Sequence, residues 1–421
     1  MKKLGLGVAG MMLLNAQSST DPADLLEQAR DKLIVRLPPV GYACTATIER
    51  SYFSRQNPPV TPKSCEQISA DRKKIRTKLK LDKTDRLRVK VVLSTGGEIY
   101  SWTGPSGFSR NVEEVLQSGH IGTGALGAQL NAIFANPLVR FRLLGQNGKN
   151  FEFGFRVPVE ASSYVVKAGT QWRETGYAGS LDIDPALLEL KRLTIQSNEL
   201  QLETGMCESG TTMEYPPGGE GVLLPSTART HALNRDTTET EWGTTFSDCR
   251  EAHEQVPARQ PPALFPSTWA VPFKLELTTP IDTSTAAAGD VIQARLLEPM
   301  LGPSSKVAAP NGAVLTGRIM RMEHHPDKQS VIVPGPDGVK GRFFLIWLDF
   351  DTIEVNGVVS SIRARMTCGE TLNSWRRFRC LVATLDDRKG QRALVFPSDA
   401  ANFVVPAGYK STWLTGDPGS E

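Results

Sequence analysis

Phe151-Glu152-Phe153-Gly154-Phe155-Arg156-Val157-Pro158-Val159 places an aromatic or β-branched side chain at every second position, with Glu152, Gly154, Arg156 and Pro158 between them. A period of two is that of a strand with one face turned to an apolar interior. Immediately upstream, Val139, Phe141 and Leu143 alternate with Arg140 and Arg142, and Asn147-Gly148 supplies the turn between the two runs. The pair therefore reads as a hairpin. Further back, Leu87, Val89, Val91 and Leu93 alternate with Arg88 and Lys90, and Gly96-Gly97 turns that strand into 98–102. Downstream, hairpins are expected through 179–184, 191–196, 207–215 and 221–247.

The composition agrees with this β reading. The 421 residues include 37 Gly and 28 Pro, which interrupt helices and make tight turns. A length of this order calls for at least two domains. At 40% hydrophobic and 22% charged the chain is apolar enough to build cores and is not a disordered one. Its net charge of +3, from 48 basic and 45 acidic residues, exerts no overall pull on nucleic acid or a membrane. No apolar run reaches the ~18 residues of a spanning helix.

The first residues read as an address. Met1-Lys2-Lys3, an apolar run over 4–14 and small residues around Ala16 and Ser18 form a signal peptide over 1–18. Export follows as the expectation, giving a soluble protein of the periplasm or one associated with the outer membrane. Six cysteines, Cys44, Cys65, Cys207, Cys249, Cys368 and Cys380, suit an oxidising compartment. None forms a C-x-x-C pair, so disulfides are favoured over zinc. Pairing between chain neighbours is expected: Cys44 with Cys65, Cys207 with Cys249, Cys368 with Cys380.

A short helix is expected after Asp21-Pro22, with Leu25, Leu26, Ala29 and Leu33 on one face. A Gly-rich insertion over 104–136 interrupts the strands with two helical pieces, 111–117 and 125–135. The Pro-rich stretch 255–263 is the best boundary, separating a first domain over 19–254 from a second over 264–415, with a tail at 416–421. The fold class is mainly β with a few short helices, a curved antiparallel half-barrel followed by a small β-barrel.

Several of these features resemble a known family. The N-terminal helix, the Cys-bearing strand Tyr42-Ala43-Cys44-Thr45-Ala46-Thr47-Ile48, the Gly-rich helical insertion ending in Ile133-Phe134, and the strand–turn–strand Gly179-Ser180-Leu181-Asp182-Ile183-Asp184-Pro185 resemble outer-membrane lipoprotein carriers of the LolA/LolB type. That resemblance implies a curved sheet with helices across its open side and an apolar cavity between them. In the second half, Ala288-Gly289-Asp290-Val291-Ile292 and Pro310-Asn311-Gly312-Ala313-Val314-Leu315-Thr316-Gly317 resemble the β-barrel of TrbI-type conjugation and secretion-channel proteins. Here the resemblance implies the barrel alone; docking of that barrel to another envelope protein is an expectation about partners.

Two candidate sites emerge. Leu87, Val89, Val91, Leu93, Leu130, Phe134, Phe151, Phe153, Phe155 and Val157 either form a dry core or line a cavity for a lipid or lipoprotein acyl chain. Arg72, Lys73, Lys74, Arg76, Lys78, Lys80, Lys83, Arg86, Arg88 and Lys90 crowd one stretch with only Asp82 and Asp85 against them. They form either a solvated loop and edge strand or a contact for anionic headgroups, with Lys73, Lys74, Arg76, Lys78 and Lys80 as the leading candidates. Catalytic signals are weak. Gly122-Thr123-Gly124-Ala125-Leu126-Gly127 has the G-x-G-x-x-G spacing without the strand before it or the acid after it. His324-His325-x-Asp327 lacks a further metal ligand nearby. No enzyme, cofactor, metal or nucleic-acid role is expected. The leading expectation is a non-catalytic binder of an apolar or lipidated ligand; a structural or interaction module without a cavity is the alternative.

Overall fold

The computed structural model describes residues 21–56, 61, 63–75, 79–103, 123–162, 164–168, 171–197, 200, 204–218, 221–251, 262–265, 270–302, 306–330, 340–370, 382–384 and 392–416. The signal-peptide expectation, the helical piece 111–117 and most of the 255–263 stretch lie outside them.

Helix α1 (Pro22–Ile34) starts where expected. Asp21 accepts from the Ala23 N–H at 2.9 Å, Pro occupies the first turn, and Leu25, Ala29 and Leu33 are buried one above the other. In the first half the strands are β1 (Tyr42–Arg55), β2 (Leu79–Ser94), β3 (Gly97–Trp102), β4 (Arg140–Asn147), β5 (Asn150–Val157), β6 (Val165–Ala168), β7 (Gln171–Glu174), β8 (Tyr177–Asp184), β9 (Glu189–Ser197), β10 (Met206–Glu214), β11 (Thr227–Asn234) and β12 (Glu239–Glu251). Two more helices are α2 (Cys65–Ile75) and α3 (Ala128–Ala135). Apart from the separate β6–β7 hairpin, the strands pair antiparallel in the order β3-β2-β1-β12-β11-β10-β9-β8-β5-β4. The sheet stays open, a curved half-barrel.

The second half carries β13 (Pro272–Leu277), β14 (Ile281–Asp282), β15 (Val291–Leu296), β16 (Met300–Leu301), β17 (Val307–Ala309), β18 (Val314–His325), β19 (Phe343–Val355), β20 (Val358–Ser361), β21 (Ala364–Gly369), β22 (Val382–Thr384), β23 (Arg392–Pro397), β24 (Val404–Val405) and β25 (Lys410–Thr415). Its main ladder runs β21-β25-β13-β15-β18-β19-β23-β22, again antiparallel. The ladder bends round so that Arg392 of β23 donates to the Thr367 carbonyl of β21 at 3.2 Å. Phe273, Leu275, Ile292, Leu315, Ile346, Phe350 and Trp413 fill the space it encloses. Asn356-Gly357 turns β19 into β20, with both residues at positive φ.

Two expectations are corrected. Residues 72–75, at the start of the basic stretch read as a solvated loop and edge strand, belong to helix α2. Cys44 pairs with Cys249 and Cys65 with Cys207, across sequence separations of 205 and 142 rather than between chain neighbours. Strand order is the reason: β1 lies beside β12, bringing Cys44 next to Cys249. Helix α2 packs Ile68 against Leu233 of β11 and Cys207 of β10, bringing Cys65 to Cys207. Cys368 is also disulfide-bonded, while Cys380 lies outside the described residues.

Candidate functional site

The concave face of the half-barrel is built by the alternation that the strands announce. Phe153, Phe155 and Val157 of β5 are 2–4% exposed, opposite Leu181, Gly179 and Tyr177 of β8. Phe155 leans over Gly179, where any Cβ would fall 2.6 Å from its ring. Helices α1 and α3 lie across this face, joined by Arg30, which donates from Nη2 to the Phe134 carbonyl at 2.6 Å. Leu130, Ile133 and Phe134 of α3 and Leu25, Ala29 and Leu33 of α1 are each 0–3% exposed and belong to one cluster with the sheet. Phe134 stacks on Phe141 at 6.0 Å, and Phe141 reaches Phe155 at 6.3 Å.

The ten apolar candidates are not one lining. Leu130, Phe134, Phe153, Phe155 and Val157, with Phe151 partly buried, share the cluster under the helices. Leu87, Val89 and Val91, with Leu93 at the margin, pack instead with Trp102, Leu126 and Trp242 towards the other edge. The division follows the strand order, which sets β2 seven strands away from β5.

Gly122 is outside the described residues, but the rest of the G-x-G-x-x-G stretch has an anion after all, supplied by the chain itself. Glu98 of β3 accepts from the Gly124 and Leu126 N–H groups, each at 2.7 Å, and from the Tyr100 hydroxyl at 2.5 Å. Gly124 and Gly127 adopt φ of +91° and +140°, which the turn into α3 requires. Burial pushes the Glu98 carboxyl up in pKa against the opposing pull of these donors. Sequence reasoning missed Glu98, because nothing local marks a strand residue as the cap of a distant helix.

The basic stretch divides between two elements. The side chains of Lys73 and Lys74, on α2, and residues Arg76 and Lys78 lie outside what is described. Arg72 reaches Glu208 at 2.6 Å and Glu239 at 3.0 Å on the outer face of the sheet. Lys80 pairs with Asp327 at 2.5 Å, Lys83 with Glu323 at 2.7 Å and Arg88 with Asp290 at 2.5 Å, all three acids belonging to the second half. Behind them Arg50 and Asp85 form a bidentate pair at 2.6 and 2.7 Å, with Arg50 2% exposed. Glu323, also 2% exposed, accepts from Lys83 and Arg321 and lies 3.1 Å from His325 Nε2. Burial pushes its carboxyl up, but the His325 contact and the Lys83 and Arg321 charges outweigh that and hold it well below the usual carboxylate range. Of the two histidines, His325 faces Glu323, and His324 stacks on Phe344 at 4.3 Å.

Two hollows are polar. A groove of about 1080 Å³ runs over the outer face of β1, β10, β11 and β12, lined among others by Glu49, Arg72, Glu214, Arg229 and Glu241. A smaller one of about 220 Å³ lies where the halves meet, lined by Arg50, Asp85, Arg86, Glu323 and His324.

No family model matches the chain, and no curated protein matches it. Among solved structures it is similar to a LolA superfamily protein from Nitrosomonas europaea, at 9% identity and a TM-score of 0.27, over 54% of this chain and 92% of that one. A likeness of that strength does not assign the chain to the family, and nothing in these matches supports the conjugation-channel resemblance of the second half. Among the described residues no helix is long and apolar enough to cross a membrane.

Proposed function

We propose that the chain is a non-catalytic interaction module of an oxidising envelope compartment, in which the half-barrel is a filled scaffold. One observation carries this: the six apolar side chains that α1 and α3 turn to the sheet are all 0–3% exposed and packed against it. Fully burying each large one contributes about 1.5–3 kcal/mol, so a ligand on this face must displace groups already well placed. The long-range disulfides support an oxidising location.

The lipid-carrier reading keeps one observation in its favour. The described roof consists of two short helices, and lifting α3 alone, eight residues long, would break the ring contacts that run from Phe134 through Phe141 to Phe155. Organic extraction of the folded protein followed by mass spectrometry, with titration of a fluorescent fatty acid, separates the two. The module predicts no stoichiometric lipid and no saturable uptake; either finding would make the chain a carrier. Contact of Lys73, Lys74, Arg76, Lys78 and Lys80 with anionic headgroups, and docking of the second half to another envelope protein, belong to this proposal as surfaces through which the module acts.

A further inference from the structure

The groove of about 1080 Å³ lies on the outer face of the half-barrel, and the strand register lays out its floor. Glu49 of β1, Gly243 of β12, Arg229 of β11 and Thr212 of β10 stand side by side in one row. Ser51, Glu241, His231 and Gly210 form the next row along the same strands. Beyond it Arg72 of α2 is held by Glu208 and Glu239, so a fixed guanidinium stands at that end of the groove.

Two glycines shape the floor. Gly243 lies within β12, and a Cβ built on it meets nothing within 4 Å, so the sheet is bare between Glu49 and Arg229. At Gly210 a Cβ would fall 2.5 Å from Cε1 of His231. The imidazole therefore lies over that position, with 34% of the His231 side chain still exposed. Glycine weakens a strand interior, and a recurrent reason for its presence there is the close approach of a ligand.

The lining is polar but of no single sign. Among the described residues it has carboxylates at Glu49, Glu214 and Glu241, guanidinium groups at Arg72 and Arg229, and hydroxyls at Ser51, Thr212 and Thr227. Glu49 and Glu214 also bind Arg86 and Arg192, yet their side chains stay 64% and 42% exposed. Each carboxylate has about four acceptor directions, so both can take further donors. A polyanion is repelled by these carboxylates and a polycation by the guanidinium groups, while an acyl chain would strip water from all of them. Hydroxyl groups both donate and accept, so a polyol satisfies the two sets together. The imidazole over Gly210 adds a flat surface for the C–H face of a sugar ring.

We propose that this groove binds an uncharged oligosaccharide strand, with Gly243 as its floor, Glu241 and Arg229 as hydrogen-bonding groups and His231 as a platform. This goes beyond the reading above and holds whether or not the concave face takes a ligand.

The test is calorimetric titration of the full chain with chitotetraose, maltotetraose and cellotetraose. At least one is expected to bind saturably with a Kd below about 1 mM. Raising sodium chloride is expected to shift that Kd less than twofold, because an uncharged ligand offers no charge to screen. Gly243→Phe places a strand-favouring ring in the open space of the floor. It is expected to weaken binding at least tenfold and to leave the near-UV circular dichroism native. Should that variant not fold, Arg229→Ala combined with Glu241→Gln decides, with the same loss expected. Binding of none of the three sugars, a weakening of less than tenfold, a larger shift in salt, or displacement of the sugar by heparin would overturn the proposal.

Discussion

Arg50 is a large cation almost fully buried, and its guanidinium meets the Asp85 carboxylate in bidentate register across β1 and β2. Removing one partner strands the other charge in a site shielded from water, which costs more than the intact pair contributes. Arg50→Ala is expected to lower stability by about 3–5 kcal/mol in urea unfolding, whereas Arg50→Met with Asp85→Leu should lose much less. Glu323 makes a pH prediction. Its folded pKa lies below its unfolded value, so its contribution is present above about pH 4.3 and is lost as pH falls through that value towards the folded one. Stability measured from about pH 5 downwards should therefore decline, and less steeply in Glu323→Gln than in wild type.

Among the elements, α3 depends most on a residue outside itself. Its N-terminal turn is held by the Glu98 carboxylate on β3, and its apolar face by the sheet. Glu98→Ala leaves the Gly124 and Leu126 N–H groups without their acceptor, at a cost of about 1–3 kcal/mol. Amide exchange at those two positions is expected to accelerate well beyond that in β5, while unchanged protection would mean that packing alone seats the helix. Strand β5 was legible because its alternation survives in a local window. Helix α2 was not, since its charges mask the helical period and its buried contact with the sheet centres on Ile68.

Across the whole molecule, two disulfides close loops that span most of the first half. In the loop-entropy model each, taken alone, contributes about 5 kcal/mol by restricting the unfolded chain. Peptide mapping without reduction is expected to link Cys44 with Cys249 and Cys65 with Cys207. Replacing Cys65 and Cys207 by Ala should lower the unfolding midpoint by an amount equivalent to about 2–5 kcal/mol. Linkage between chain neighbours would mean that the strand order around β1 and β10 differs from the one described.

What the amino-acid sequence determined by itself is the class of structure: alternating strands, the capped helix at Pro22, the Asn-Gly turns and the apolar residues that enter cores. These depend on neighbours two to four positions apart, where periodicity and turn chemistry act directly. Which strands lie side by side was decided only in three dimensions. So were the cysteine pairing, the split of the apolar candidates into two clusters, the use of Glu98 as a distant cap and the conversion of Lys80, Lys83 and Arg88 from a surface charge run into partners for the second half. Each joins residues tens to hundreds of positions apart, and the free energy that selects them comes from sheet order and burial, which no local window of sequence contains.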